Sequence, residues 1–61
     1  MSGPDFRAWR KSLSLSQQAA AESLGIGRRT VQDYEAGAYP VPRHIALACA
    51  ALFHRLEPWA A

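Results

Sequence analysis

Apolar residues recur along this chain at helical rather than strand spacing. Phe6, Trp9 and Leu13 follow i, i+3, i+7 and predict a first helix with one apolar face, beginning near Pro4. Proline suits a first helical turn, and Asp5 in that turn meets the positive end of the helix dipole. The run Ser12-Leu13-Ser14-Leu15 closes this helix. Ala20, Ala21 and Leu24 mark the inner side of a second helix, Gln17 to Leu24, with Ser16 as N-cap and Gly25 as its stop. Ile26 plugs the corner. Val31 and Tyr34 form the inner stripe of a third helix, roughly Arg28 to Ala36, entered through Gly27 and ended at Gly37. Pro40 and Pro42 then forbid helix. A fourth helix is predicted from about Arg43 to Leu56, stopped by Glu57-Pro58. Its centre, IALACAALF, is apolar all round, which predicts burial on more than one side. No segment alternates apolar and polar residues between turn signals. The class is therefore all-α, with four to five short helices.

Size sharpens this picture. With 61 residues, the chain reads as a single domain over 1–61, without repeats or linkers. A domain this small buries only about 60% of the surface its unfolded chain exposes, so association with a second copy would help it. The longest apolar run, Ile45 to Phe53, falls short of the roughly 20 residues of a bilayer span. The N-terminus, MSGPDFRAWRK, lacks the apolar region of a secretory signal. One cysteine allows no internal disulfide and fits a reducing compartment. A cytoplasmic protein with no membrane partner is expected.

Catalytic chemistry finds little support. His44 and His54 lack Cys, Asp or Glu at ligand spacing, so no metal is expected. Cys49 lies in the apolar helix and reads as a small core residue. Neither a Ser/His/Asp set nor a carboxylate pair is visible, and so short a chain encloses a pocket with difficulty. No enzyme, cofactor or small-molecule ligand is expected. The net charge of +2 is too weak by itself to indicate nucleic acid.

The segment Ser16 to Gly37, SQQAAAESLGIGRRTVQDYEAG, changes that reading. Two helices that cross closely need a small residue at the crossing, and Ala21 is one. The turn between them needs tolerance of positive φ, which Gly25 has. Val31 and Tyr34 anchor the second helix. Arg28 and Arg29 then stand at its start, where side chains of a helix laid in the DNA major groove reach base edges. Arginine bridging guanine O6 and N7 is the commonest specific contact.

With Gln17, Ala21, Leu24, Gly25, Val31 and the ending Tyr34-Glu35-x-Gly37, the segment resembles the lambda-repressor-like, Cro-type helix-turn-helix family of transcriptional regulators. The resemblance covers about Phe6 to Phe53. It implies that Arg28, Arg29 and Asp33 face the major groove with Gln32 beside them. It further implies backbone contacts from Gln17, Thr30 and Arg43, and a structural ion pair between Arg10 and Glu35. The sequence departs from the family in three places. Ala36 replaces the usual polar residue before Gly37, removing one phosphate contact. Asp33 presents an acid to DNA, either accepting from cytosine N4 or pairing with Arg29 at i, i+4. The family usually adds a fifth helix after a loop, whereas only a short tail follows Leu56, so its dimer geometry does not transfer.

These residues lead to a sequence-specific DNA-binding regulator. It is expected to be a homodimeric repressor or autorepressor on an inverted-repeat operator. Leu52, Phe53, Leu56 and Trp59 are its expected dimer interface. The alternative is an interaction module, such as an antitoxin-like subunit that caps a partner protein through the fourth helix.

Overall fold

The computed structural model describes residues 1–57 as four helices: α1 (Gly3–Ser12), α2 (Gln17–Leu24), α3 (Arg28–Ala36) and α4 (Arg43–Phe53). No strand occurs among the described residues. α1 starts one residue before Pro4 because Ser2 and Asp5 form a reciprocal cap. The Asp5 amide donates to Ser2 Oγ at 3.1 Å, and the Ser2 amide donates to Asp5 Oδ2 at 3.2 Å. These hydrogen bonds stabilise the ionised form and hold the Asp5 carboxyl below its ordinary pKa.

Phe6, Trp9, Ala20, Ala21, Val31, Tyr34, Ile45 and Cys49 form the buried core. All four helices contribute to it. The Phe6 ring lies 5.3 Å from Trp9 and meets Tyr34 edge-on at 5.5 Å, so α1 and α3 share an aromatic contact. Trp9 also reaches the far helix. Its indole Nε1 donates to the Cys49 carbonyl at 2.9 Å, which satisfies the one polar atom of an otherwise apolar side chain. The first turn of α1 rests directly on the last turn of α3. A Cβ at Gly3 would stand 2.6 Å from the Tyr34 carbonyl oxygen, so only glycine fits there without movement. Leu13, Leu15, Leu24, Ile26, Val41 and Leu52 pack around this core.

Every helix ends in the same way. A left-handed residue follows, and the next amide turns back to a carbonyl in the final turn. For α2 this residue is Gly25 at φ 70°, with the Ile26 amide donating to the Ala21 carbonyl at 2.9 Å. For α1 it is Ser14 at φ 57°, with the Leu15 amide donating to Arg10. For α4 it is Arg55, also at φ 57°, with the Leu56 amide donating to Ala51.

Arg55 accounts for one correction. α4 ends at Phe53 rather than Leu56, because the chain turns left-handed before Leu56. Within the single chain, the apolar centre of α4 is covered on one side, as the small size of the domain leads one to expect. Ile45 and Cys49 are buried, but Leu47 is 59% exposed and Phe53 53% exposed. Three packed helices cover only one side of a fourth.

A Cβ at Gly25 would meet nothing within 4 Å, so Gly25→Ala has only a conformational cost. Urea unfolding is expected to show a loss of about 1 kcal/mol for that variant. Ser14→Gly, which relieves the same strain, should leave stability unchanged or raise it. Equal losses in both variants would contradict the role given to φ.

Candidate nucleic-acid interface

α2 and α3 are joined by Gly25-Ile26-Gly27, and Ala21 is buried between them. Ser16 caps α2 by accepting from the Ala19 amide at 3.0 Å. Gly27 occupies the N-cap of α3 without a side-chain cap, so the start of that helix carries no covering group. Val31 and Tyr34 bury one stripe of α3. Arg28 and Arg29 are exposed at its start, and Thr30, Gln32 and Asp33 are half-buried along its flanks. One short helix thus has an anchored apolar side and an outward polar side.

A line of polar contacts sets the angle of α3. Arg10 Nε donates to Glu35 Oε2 at 2.7 Å and Nη2 donates to Oε1 at 3.1 Å, a two-pronged pair. Their side chains are only 13% and 9% exposed, so this pair is more protected than an ordinary surface bridge. Arg10 Nη1 donates to the Leu15 carbonyl at 2.9 Å, tying in the turn before α2. Gln17 Nε2 donates to Glu35 Oε1 at 3.5 Å, and Gln32 Nε2 donates to Gln17 Oε1 at 3.4 Å. The structure therefore brings Arg10, Gln17, Gln32 and Glu35 into one row across three helices.

Arg29 and Asp33 form the second ion pair among the described residues, with Arg29 Nε 3.1 Å from Asp33 Oδ1. Arg43 is exposed at the first position of α4, beside Met1, Val41, Ala46 and Leu47, and outside that row. Leu52 is half-buried, and Phe53 and Leu56 are exposed. Trp59 lies outside the described residues.

Sequence reasoning missed the links from Gln17 to Glu35 and from Gln32 to Gln17. They span 18 and 15 residues and have no local signal. The Leu15 carbonyl was missed because backbone acceptors carry no residue signature.

This architecture is that of an all-α helix-turn-helix domain built to present α3. A family model described as helix-turn-helix matches residues 6–57. The chain belongs to that family, in its lambda-repressor-like, Cro-type form, and is a DNA-binding transcription regulator. No curated protein and no solved structure matches it. No described helix is long and apolar enough to cross a membrane.

The hydrogen bond from Arg10 holds the Glu35 carboxyl below its ordinary range, and the same bond raises the Arg10 guanidinium. A depressed carboxyl stabilises the fold above its unfolded pKa, and that stabilisation is lost as pH falls through the folded pKa. Glu35→Gln is expected to cost about 1–3 kcal/mol at pH 7. The gap between the variant and the parent should narrow as pH falls from about 5 to about 3. Urea melts followed by circular dichroism at both ends of that window check it; a gap that stays constant contradicts the ion-pair account.

Proposed function

We propose that this regulator is a homodimeric repressor that acts by occupying an inverted-repeat operator. The observation that carries the reading is the division of α3. Val31 and Tyr34 are buried, while Arg28 and Arg29 are exposed at the start of the same helix. In this reading the two arginines contact bases, with Gln32 and Asp33 beside them, and Gln17, Thr30 and Arg43 contact phosphates. Backbone contacts fix register, and base-edge contacts carry sequence.

Gel-shift titrations on a selected operator test this. Arg28→Ala and Arg29→Ala should each cost about 1–3 kcal/mol and relax sequence preference. Gln17→Ala should weaken all sequences alike, and affinity should fall steeply with added salt. Normal operator binding by both arginine variants would overturn the assignment.

The dimer reading rests on the uncovered side of α4. Leu56 is 62% exposed, and a cleft of about 220 Å³ opens between α2 and α4, lined by Leu24, Ala48, Ala51, Leu52 and Leu56 with Ser23 and Glu57 at its polar edge. The domain measures 32 × 22 × 18 Å. In this reading two copies joined through α4 place their recognition helices about 34–36 Å apart, one turn of DNA. Light scattering after size exclusion should give a dimer for the parent chain and a 6.7 kDa monomer for a Phe53→Glu, Leu56→Glu variant. A parent chain that stays monomeric or aggregates would replace this reading with the antitoxin-like one, in which a different protein covers α4.

A further inference from the structure

We infer that Arg29 and Asp33 act as one reading unit for guanine, with Asp33 positioning the arginine rather than contacting a base itself. The inference rests on the DNA-reading role proposed for α3.

The geometry is asymmetric. The Asp33 side chain is only 22% exposed and is held close to the helix surface, whereas Arg29 is 84% exposed and extends outward. The carboxylate grips Arg29 by Nε, at 3.1 Å. A guanidinium has two hydrogen-bonding edges, one that includes Nε and one formed by its two terminal nitrogens. Engaging Nε leaves the edge formed by the two terminal nitrogens without a partner among the described residues. That edge has the fork geometry that matches guanine O6 and N7.

The pair also accounts for an acid on a surface that meets DNA. An isolated carboxylate there would be repelled by phosphates. Paired with Arg29, it is neutralised locally, and its acceptor oxygen is directed at the arginine rather than at cytosine N4. The pair holds a long side chain in its reading conformation before DNA arrives, which lowers the ordering cost of binding. Asp33 is thus a positioning residue, and Arg29 makes the contact.

The test selects sites from random duplex DNA with the full chain, then measures affinities for each base at every position. The proteins are the parent, Arg29→Ala, Asp33→Ala and the double variant. Both side chains lie on the helix surface, and circular dichroism melts verify folding. The parent is expected to prefer guanine at one position of each half-site by about five- to 150-fold, the range of one two-pronged contact. Arg29→Ala should abolish that preference. Asp33→Ala should weaken it at the same position by about two-fold, the scale of an exposed i, i+4 pair. The double variant should match Arg29→Ala. If Asp33→Ala changes a different position, or none, the positioning role is overturned. If the parent selects a consensus whose guanines are insensitive to Arg29→Ala, the inference fails while sequence-specific binding stands. A parent that selects no consensus overturns both.

Discussion

The geometry of this domain depends on the side chain of Arg10. A recognition helix must be fixed from the inside, because its outer side has to stay bare for DNA. α3 has only nine residues and two buried anchors, Val31 and Tyr34. Apolar packing sets its depth but leaves rotation about the anchors weakly defined. Arg10 supplies the missing constraint. Its guanidinium holds Glu35 with two nitrogens and the Leu15 carbonyl with the third, so α1, α3 and the approach to α2 converge on one planar group. Its rigid fork accepts little angular error, which a flexible ammonium would tolerate. Such a pair defines orientation more than it adds stability, since desolvation offsets much of the attraction. Glu35 in turn meets Gln17, and Gln17 meets Gln32. The constraint that orients the helix therefore continues into side chains assigned to the DNA-facing surface.

Short helices make the second constraint. Elements of 8–11 residues are too brief to persist alone, so each needs a defined end and a packed face. The left-handed terminations reverse the chain within a few residues and satisfy the last carbonyls. Packing then follows. Trp9 bonds to Cys49 across 40 residues, and the first turn of α1 closes on the last turn of α3 at Gly3. Phe6 lies at the centre, touching Trp9 and Tyr34. The core covers one stripe of α4 and no more, which is why that helix keeps an apolar outer side.

Much of this was legible in the sequence, for reasons tied to particular residues. Phe6, Trp9, Ala20, Ala21, Val31 and Tyr34 are spaced for one helix face each, and burial follows spacing. Gly25 and Gly37 were readable as stops because left-handed backbone favours glycine. The end of α4 was not, because Arg55 adopts the same conformation without glycine's signature. The start of α1 was readable but overlooked, since Ser2 and Asp5 have the spacing of a reciprocal cap. Of the interface, the outward position of Arg28 and Arg29 followed from helix phase alone. The Gln17 and Gln32 links did not, since they depend on the crossing angle of α2 and α3. Asp33 illustrates the boundary between the two. Its i, i+4 relation to Arg29 was visible as one of two alternatives, and only the burial asymmetry and the 3.1 Å contact separate them.

Placement of charge explains how so weakly basic a chain can serve a DNA surface. Seven cationic and five acidic residues leave a net charge of +2, a small field for a polyanion. The acids, however, are not spread evenly. Asp5 caps α1, Glu35 is held by Arg10, Asp33 is held by Arg29, and Glu22 accepts from Gln18 along α2. Glu57 lies beyond the end of α4. Two of the five are thus neutralised within ion pairs, and those two are the acids of α3 itself. Arg28 remains unopposed at the start of α3, and Arg43 at the start of α4. Both sit where the helix dipole adds positive potential rather than cancelling it. The field that DNA meets is set by these local imbalances, because screening at physiological salt confines each charge to about 8 Å. A total summed over the whole chain averages away the feature that matters, namely acids paired inward and cations left outward on the same short helix.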